Sequence, residues 1–135
     1  MSRVFADSHY WIALASRADQ DHAKAVGASQ DLKAVLIVTT EEVLAEFVTS
    51  FCKGGKEWRR KVVSLVDALL RNRGVKVVHQ SAKSFQDGLE FFRSRPDKEY
   101  SLPDCVSMVT MRSHEISEVL TSDRHFEQEG FRRLY

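Results

Sequence analysis

Residues 35 to 46 read Val35-Leu36-Ile37-Val38-Thr39-Thr40-Glu41-Glu42-Val43-Leu44-Ala45-Glu46. The first four are aliphatic without polar alternation, which predicts a strand buried on both faces, as in a parallel sheet. Thr39-x-x-Glu42 fits the capping-box pattern, so a helix is expected to start directly after that strand. Val43, Leu44, Phe47, Val48 and Phe51 share one arc of that helix, and Lys53-Gly54-Gly55-Lys56 breaks it.

The pattern repeats outward in both directions. On the N-terminal side, Val4-Phe5-Ala6 is a short apolar run ending at Asp7. Tyr10, Trp11, Leu14 and Ala18 then recur at helical spacing, and a polar helix is expected over 21–30. On the C-terminal side, Trp58, Val62, Leu65, Val66, Leu69 and Leu70 mark one face of a longer helix ending near Arg73-Gly74, with the glycine as a left-handed terminator. A strand follows over 75–78. Phe85, Leu89 and Phe92 then mark a helix that stops at Arg95-Pro96. Ser101-x-x-Asp104 opens a helix carrying Cys105, Val106, Met108, Val109 and Met111. Val119-Leu120 is a short strand, 123–129 a helical turn or two, and 131–135 a last strand. Strands separated by helices imply right-handed crossovers. The expected class is α/β, a three-layer α/β/α sandwich with a short, mainly parallel sheet of four or five strands, in a single domain over 1–135.

Composition narrows the function classes. With 135 residues, 43% hydrophobic and 29% charged, the chain is too apolar for disorder and long enough to bury a core without metal or disulfide staples. No apolar run approaches the roughly 20 residues of a membrane span, and no signal-peptide pattern opens the chain, so a cytoplasmic protein is expected. Cys52 and Cys105 lack metal-type spacing and are read as reduced, buried thiols. The net charge of +1 announces no nucleic acid, but its distribution is uneven. Residues 1–52 carry 4 basic and 7 acidic side chains, residues 53–76 carry 8 and 2, and residues 77–135 carry 8 and 10. The basic middle block includes Lys53, Lys56, Arg59, Arg60, Lys61, Arg71, Arg73 and Lys76. It suits a surface that tracks a nucleic-acid backbone, or a solvated helix face.

Two predicted strands end near aspartate, Asp7 and Asp123, and parallel pairing would put both at the same sheet edge, where open α/β sheets bind ligands. Asp104 opens a helix that can start at that edge. Each acid also has a structural reading, as a helix cap or turn former. Gathered together they would repel one another unless a hard cation such as magnesium sat between them. On the 43–51 helix, Glu46 lies roughly 60° outside the apolar arc and Glu41 near its opposite border. Periodicity does not choose between them.

The motifs Val4-Phe5-Ala6-Asp7-Ser8, Thr39-Thr40-Glu41-Glu42-Val43-Leu44-Ala45-Glu46, Ser101-Leu102-Pro103-Asp104-Cys105 and Leu120-Thr121-Ser122-Asp123-Arg124-His125-Phe126, with Gly130-Phe131, are individually weak. In this order and spacing the chain resembles the PIN-domain ribonucleases, particularly the small toxins of the VapC type. The resemblance implies a metal-dependent endoribonuclease using magnesium, with manganese as the alternative. It also selects Glu46 over Glu41, so that Asp7, Glu46, Asp104 and Asp123 match the family's acidic quartet. Further implied are an RNA substrate, a cognate antitoxin and a homodimer. A standalone nuclease of RNA processing, or a non-catalytic binding module on the same fold, is the alternative.

Pro103 departs from the family pattern by replacing a small hydroxyl residue before the third acid. Ser122 keeps a small hydroxyl side chain before the fourth and is read as a supporting residue. His125 is read as surface packing. Tyr10, Trp11 and the Trp58 stripe are read as core. His9, His22, His79, His114 and His125 form no zinc-helix pair, and no phosphate-binding GxxxxGK[ST] loop is present.

Overall fold

The computed structural model describes residues 2–135. The elements are β1 (Ser2–Ala6), α1 (Ser8–Ala15), α2 (His22–Asp31), β2 (Val35–Thr40), α3 (Glu41–Ser50), α4 (Lys56–Arg71), β3 (Val75–Val78), α5 (Ala82–Arg93), α6 (Leu102–Ser113), β4 (Glu118–Leu120), α7 (His125–Gln128) and β5 (Arg132–Arg133). The five strands form one parallel sheet in the order β3-β2-β1-β4-β5. The chain steps from β1 out to β3, then returns past β1 to β4 and β5. Right-handed crossovers then place α1–α4 on one face and α5–α7 on the other, the α/β/α arrangement expected. The direction reverses between β1 and β4, and that switch point opens a crevice beyond their carboxyl ends.

β1 is central, and Val4, Phe5 and Ala6 are buried between the layers. β2 is fully buried only in its second half, Val38 to Thr40. The capping motif sits one residue later than the sequence suggests. Thr40 is the N-cap of α3, and its hydroxyl accepts from the Val43 N–H at 3.1 Å. Thr39 stays in the strand, donates to the Ala6 carbonyl (2.8 Å) and accepts from the Trp11 indole (3.4 Å). Glu42 is therefore free of capping and takes a bond from the Ser84 hydroxyl. Gly55, at φ 90°, forms the break before α4. α4 ends at Asn72, whose extended backbone terminates it and whose side-chain oxygen accepts from Gly74 N–H; Gly74 has no left-handed conformation to supply.

α5 is a helix where periodicity placed one, but its buried face differs. Phe85 and Phe92 are about half exposed (51% and 48%), while Gly88 and Phe91 face inward. The reason lies at Gly88, where a Cβ would stand 2.5 Å from Val106 Cγ2 on α6. Only glycine lets the two helices approach this closely. Gly88→Ala sets a helix-propensity gain of about 1 kcal/mol against an overpacking cost of about 1–3 kcal/mol. A lowered urea midpoint is expected; an unchanged or raised one would show slack between α5 and α6.

Cys105 is buried as expected, whereas Cys52 is exposed just beyond α3; both are free. No helix among the described residues is long and apolar enough to cross a membrane.

Candidate functional site

The crevice beyond β1 and β4 gathers all four acids singled out in the sequence. Asp7 directly follows β1 and is 1% exposed. It occupies the N-cap position of α1, yet its carboxylate makes no capping bond. Instead Asp7 Oδ2 accepts from the Thr121 hydroxyl (2.9 Å) and lies 2.8 Å from His9 Nδ1. Its backbone N–H donates to the Leu120 carbonyl, which ties β1 to β4 at this level.

Asp104 serves two purposes. It completes the capping box of α6, with Ser101 N–H donating to Asp104 Oδ2 and Asp104 N–H donating to the Ser101 hydroxyl, each at 3.1 Å. Pro103 sits in the first turn of that helix, where a missing N–H costs nothing. Asp104 is nonetheless buried at 9% exposure. Burial raises its pKa, the Ser101 bonds partly oppose that rise, and the charges of Asp7 and Asp123 reinforce it.

Asp123 follows β4. Its N–H donates to the Thr121 hydroxyl (3.0 Å), and its Oδ1 accepts from the His125 N–H (2.9 Å). Glu46 projects from α3 into the same charge cluster. Burial, then the nearby charges of Asp7 and Asp104, push its pKa up to about 7. Glu41, left open by periodicity, is engaged elsewhere: it accepts from Gln80 N–H (2.7 Å) and pairs with His79 beyond β3.

Two histidines also belong here, and neither is among the site residues expected from the sequence. His9 Nδ1 bonds Asp7, an interaction that raises its pKa to about 9 against the opposing effect of burial. His125 was expected to pack at the surface. Its Nδ1 instead lies 3.1 Å from Asp123 Oδ1 and 4.0 Å from Asp104 Oδ2. Potential ligand atoms of Asp7, His9 and Asp123, and of Asp104, Asp123 and His125, lie within 4.8 Å of one another in each trio.

Thr121, not Ser122, is the hydroxyl that supports the acids, because the Asp7–Leu120 backbone bond brings residue 121 alongside Asp7. One oxygen thereby links Asp7 to Asp123. The sequence reading singles out Ser122, one residue before the acid; the signal for Thr121 is a hydroxyl two residues before it. Thr121→Val keeps shape while removing that oxygen, leaving buried groups unpaired at about 1–3 kcal/mol. A lowered melting temperature restored by Thr121→Ser is expected; equal stability in all three proteins would refute the bridge.

Burial of so many like charges sets a pH dependence. A carboxyl whose folded pKa is raised disfavours folding once ionised. For Glu46 the penalty is absent below its ordinary 4.5 and complete above about 7. The His9 interaction stabilises below the ordinary 6.5 and is lost as pH rises through about 9. Both act in one direction, so the melting temperature of the metal-free protein is expected to fall from pH 5 to pH 9. Glu46→Gln should flatten the lower part of that decline. A melting temperature that rises across this range would contradict the assigned burial.

Comparison with known proteins places this geometry in a lineage. The chain is 27% identical over 130 residues to the 23S rRNA-specific endonuclease VapC20 of Mycobacterium tuberculosis, covering 95% of each chain. The crystal structure of that protein, described as a sarcin–ricin loop cleaving toxin, superposes with a TM-score of 0.83 at 26% identity over 95% of both chains. The fold is also shared with VapBC2 from Rickettsia felis bound to a promoter DNA fragment, at a TM-score of 0.66 and 12% identity over 97% and 96% of the two chains. The PIN domain family model matches residues 4–131, so the acidic crevice at the switch point is that of a PIN fold, and the chain belongs to the PIN domain family.

Proposed function

We propose that this protein is a metal-dependent endoribonuclease, the toxin of a toxin–antitoxin pair, which cuts a structured ribosomal RNA. Asp7, Glu46, Asp104 and Asp123 are its site residues and metal-holding groups. The observation that carries the reading is the convergence of these four acids in one crevice at the β1–β4 switch point, with no lysine or arginine among their hydrogen-bond partners in the described residues. Such a set favours a hard divalent cation, and magnesium is the ion proposed, with manganese as the alternative. The donor set passes a further test of fit. His125 Nδ1 is buried beside two of the acids and has no hydrogen-bond partner among the described residues.

A divalent ion supplies an activated water and polarises a phosphoryl oxygen when bound. The chain's own contribution is orientation. Thr121 fixes Asp7 and Asp123 relative to each other, Ser101 fixes Asp104, and α3 brings Glu46 near Asp7 and Asp104. Without an ion, Glu46 retains its proton up to near-neutral pH, which relieves part of the repulsion.

The substrate class follows from the likeness to VapC20, whose described target is the sarcin–ricin loop. The basic block supports an RNA-facing surface. Arg60 is paired with Glu57, and Lys61 lies over Trp58 while donating to the Ala15 carbonyl. Lys53, Lys56, Arg59, Arg71, Arg73 and Lys76 are exposed and in no ion pair among the described residues. Apolar side chains left in solvent, Val63 and Leu70 on α4 and Phe85 and Phe92 on α5, support the proposed protein partners, a cognate antitoxin and a second copy of the chain. The proposed setting is the cytoplasm, where ribosomal RNA resides.

The test is incubation of the purified protein with a hairpin carrying the sarcin–ricin loop and with a scrambled hairpin, in magnesium, manganese or EDTA. Cleavage of the first hairpin that EDTA abolishes is the expected result. Cleavage undiminished by EDTA would overturn the metal dependence. Equal cleavage of both hairpins would overturn the substrate assignment.

A further inference from the structure

His125 opens α7, and its ring is held from behind. Tyr100 packs edge-on against the imidazole, with ring centroids 5.6 Å apart. Tyr100 is itself fixed, because its hydroxyl donates to Glu129 Oε2 at 2.9 Å. The Glu129 side chain is only 6% exposed and receives Arg95 through Nε and Nη2, each at 3.0 Å, and Arg112 through Nη2 at 2.9 Å. Both guanidinium groups also lie over the Phe91 ring. Residues from α5, the α5–α6 loop, α6 and the end of α7 thus build a buttress behind one imidazole.

What the ring presents forward is Nδ1. The side chain as a whole is 31% exposed, but this nitrogen is buried and lacks a directed hydrogen bond, although Asp123 Oδ1 and Asp104 Oδ2 are 3.1 and 4.0 Å away. A buried ring nitrogen that faces two carboxylate oxygens without a directed hydrogen bond is held where a cation between them would satisfy all three. His9 makes an instructive contrast. Its Nδ1 is already bonded to Asp7 Oδ2, and its side chain is half exposed.

We infer that His125 Nδ1 is a nitrogen ligand of the divalent ion, beside Asp104 and Asp123, and that Tyr100 and Glu129 are positioning residues that hold its ring. The inference rests on the metal-dependent reading above and deepens it. As a ligand the ring is neutral, with its proton on Nε2 and the Nδ1 lone pair turned to the ion. A nitrogen donor in an otherwise oxygen-only set raises affinity for first-row transition ions relative to magnesium. Manganese should therefore bind this protein more tightly than magnesium does.

The experiment is titration of the metal-stripped full chain with Mn2+ alone, free ion being read by electron paramagnetic resonance and directly bound nitrogen by pulsed measurements of 14N coupling. One coupled nitrogen is expected in the wild type and in His9→Gln. It should disappear in His125→Phe, which keeps a flat ring against Tyr100, and manganese affinity should fall by on the order of tenfold or more. Tyr100→Phe and Glu129→Gln should retain the coupling while weakening manganese several-fold at unchanged secondary structure. If His125→Phe does not fold, His125→Gln replaces it with the same expectation. Manganese bound without nitrogen coupling, or with coupling that survives loss of His125, overturns the ligand assignment and leaves the metal-dependent reading intact. Absence of manganese binding overturns both.

Discussion

Asp7→Asn and Asp104→Asn are expected to fold as the wild type does and to cleave RNA at least ~10³-fold more slowly, because each removes a charge from the site that would hold the ion. The second half of the expectation gives it diagnostic force. Asp104 is buried beside Asp7 and Asp123, and burial together with those charges raises its pKa. Asparagine relieves that repulsion, and its side-chain oxygen can still accept from Ser101 N–H. The melting temperature of metal-free Asp104→Asn should therefore equal or exceed that of the wild type, a stability gain bought with lost activity, whereas Asp7→Asn also weakens the bond to His9. Single-turnover cleavage of an end-labelled hairpin, with thermal melts of the same samples, checks both parts. Cleavage within tenfold of wild type in both variants would remove these acids from the mechanism.

Phe126→Ala should produce the largest loss of stability. Phe126 is fully buried, and its ring lies 6.3 Å from that of Phe131. Truncating a buried phenylalanine costs about 3–5 kcal/mol, against a total stability of about 5–15 kcal/mol for a typical domain. The consequence extends beyond the core. α7 has only four residues and no stability of its own at that length, so Phe126 anchors it and with it His125 and Asp123. Urea denaturation should show the loss, and manganese affinity should weaken in the fraction that remains folded. A variant within about 1 kcal/mol of wild type would mean that α7 is held by something other than its buried ring.

How legible the molecule was depends on the range of the forces involved. The run from Val35 to Val38 and the arc from Val43 to Phe51 act locally, so strand, helix and parallel class were readable. Asp7 and Asp123 were placed by the same logic, because parallel strands share an edge. Errors arose where two residues fit one local pattern and distant contacts decided between them. Thr39 and Thr40 are both plausible caps, but the Ala6 carbonyl and the Trp11 indole hold Thr39 in the strand. Thr121 and Ser122 are both small hydroxyl residues before an acid, and Asp7, 114 positions away in sequence, selects Thr121. Phe85 and Phe92 follow a helical period, yet the close approach permitted by Gly88 turns Phe91 inward instead. His125 lies beside the acids rather than packing at the surface because Tyr100 and Glu129, not its own four-residue helix, fix the ring, and each finds its partner only in the folded chain. Glu46 was selected by resemblance rather than by pattern. The competing Glu41 is occupied by Gln80 and His79, a contact invisible to periodicity.

The pairing of β1 with β4 has a consequence for synthesis. Thr121, which helps complete the surroundings of Asp7, follows it by 114 positions and is made well after it, as is Asp123. β1, β2 and β3 can associate early, but the pocket has one wall missing until β4 and Asp123 have been made. Contacts of such long sequence separation form late because the intervening loop must close first. A growing chain that still lacks β4 thus carries only scattered acids. The four-acid pocket is complete only once β4 and the segment after it can pair with β1.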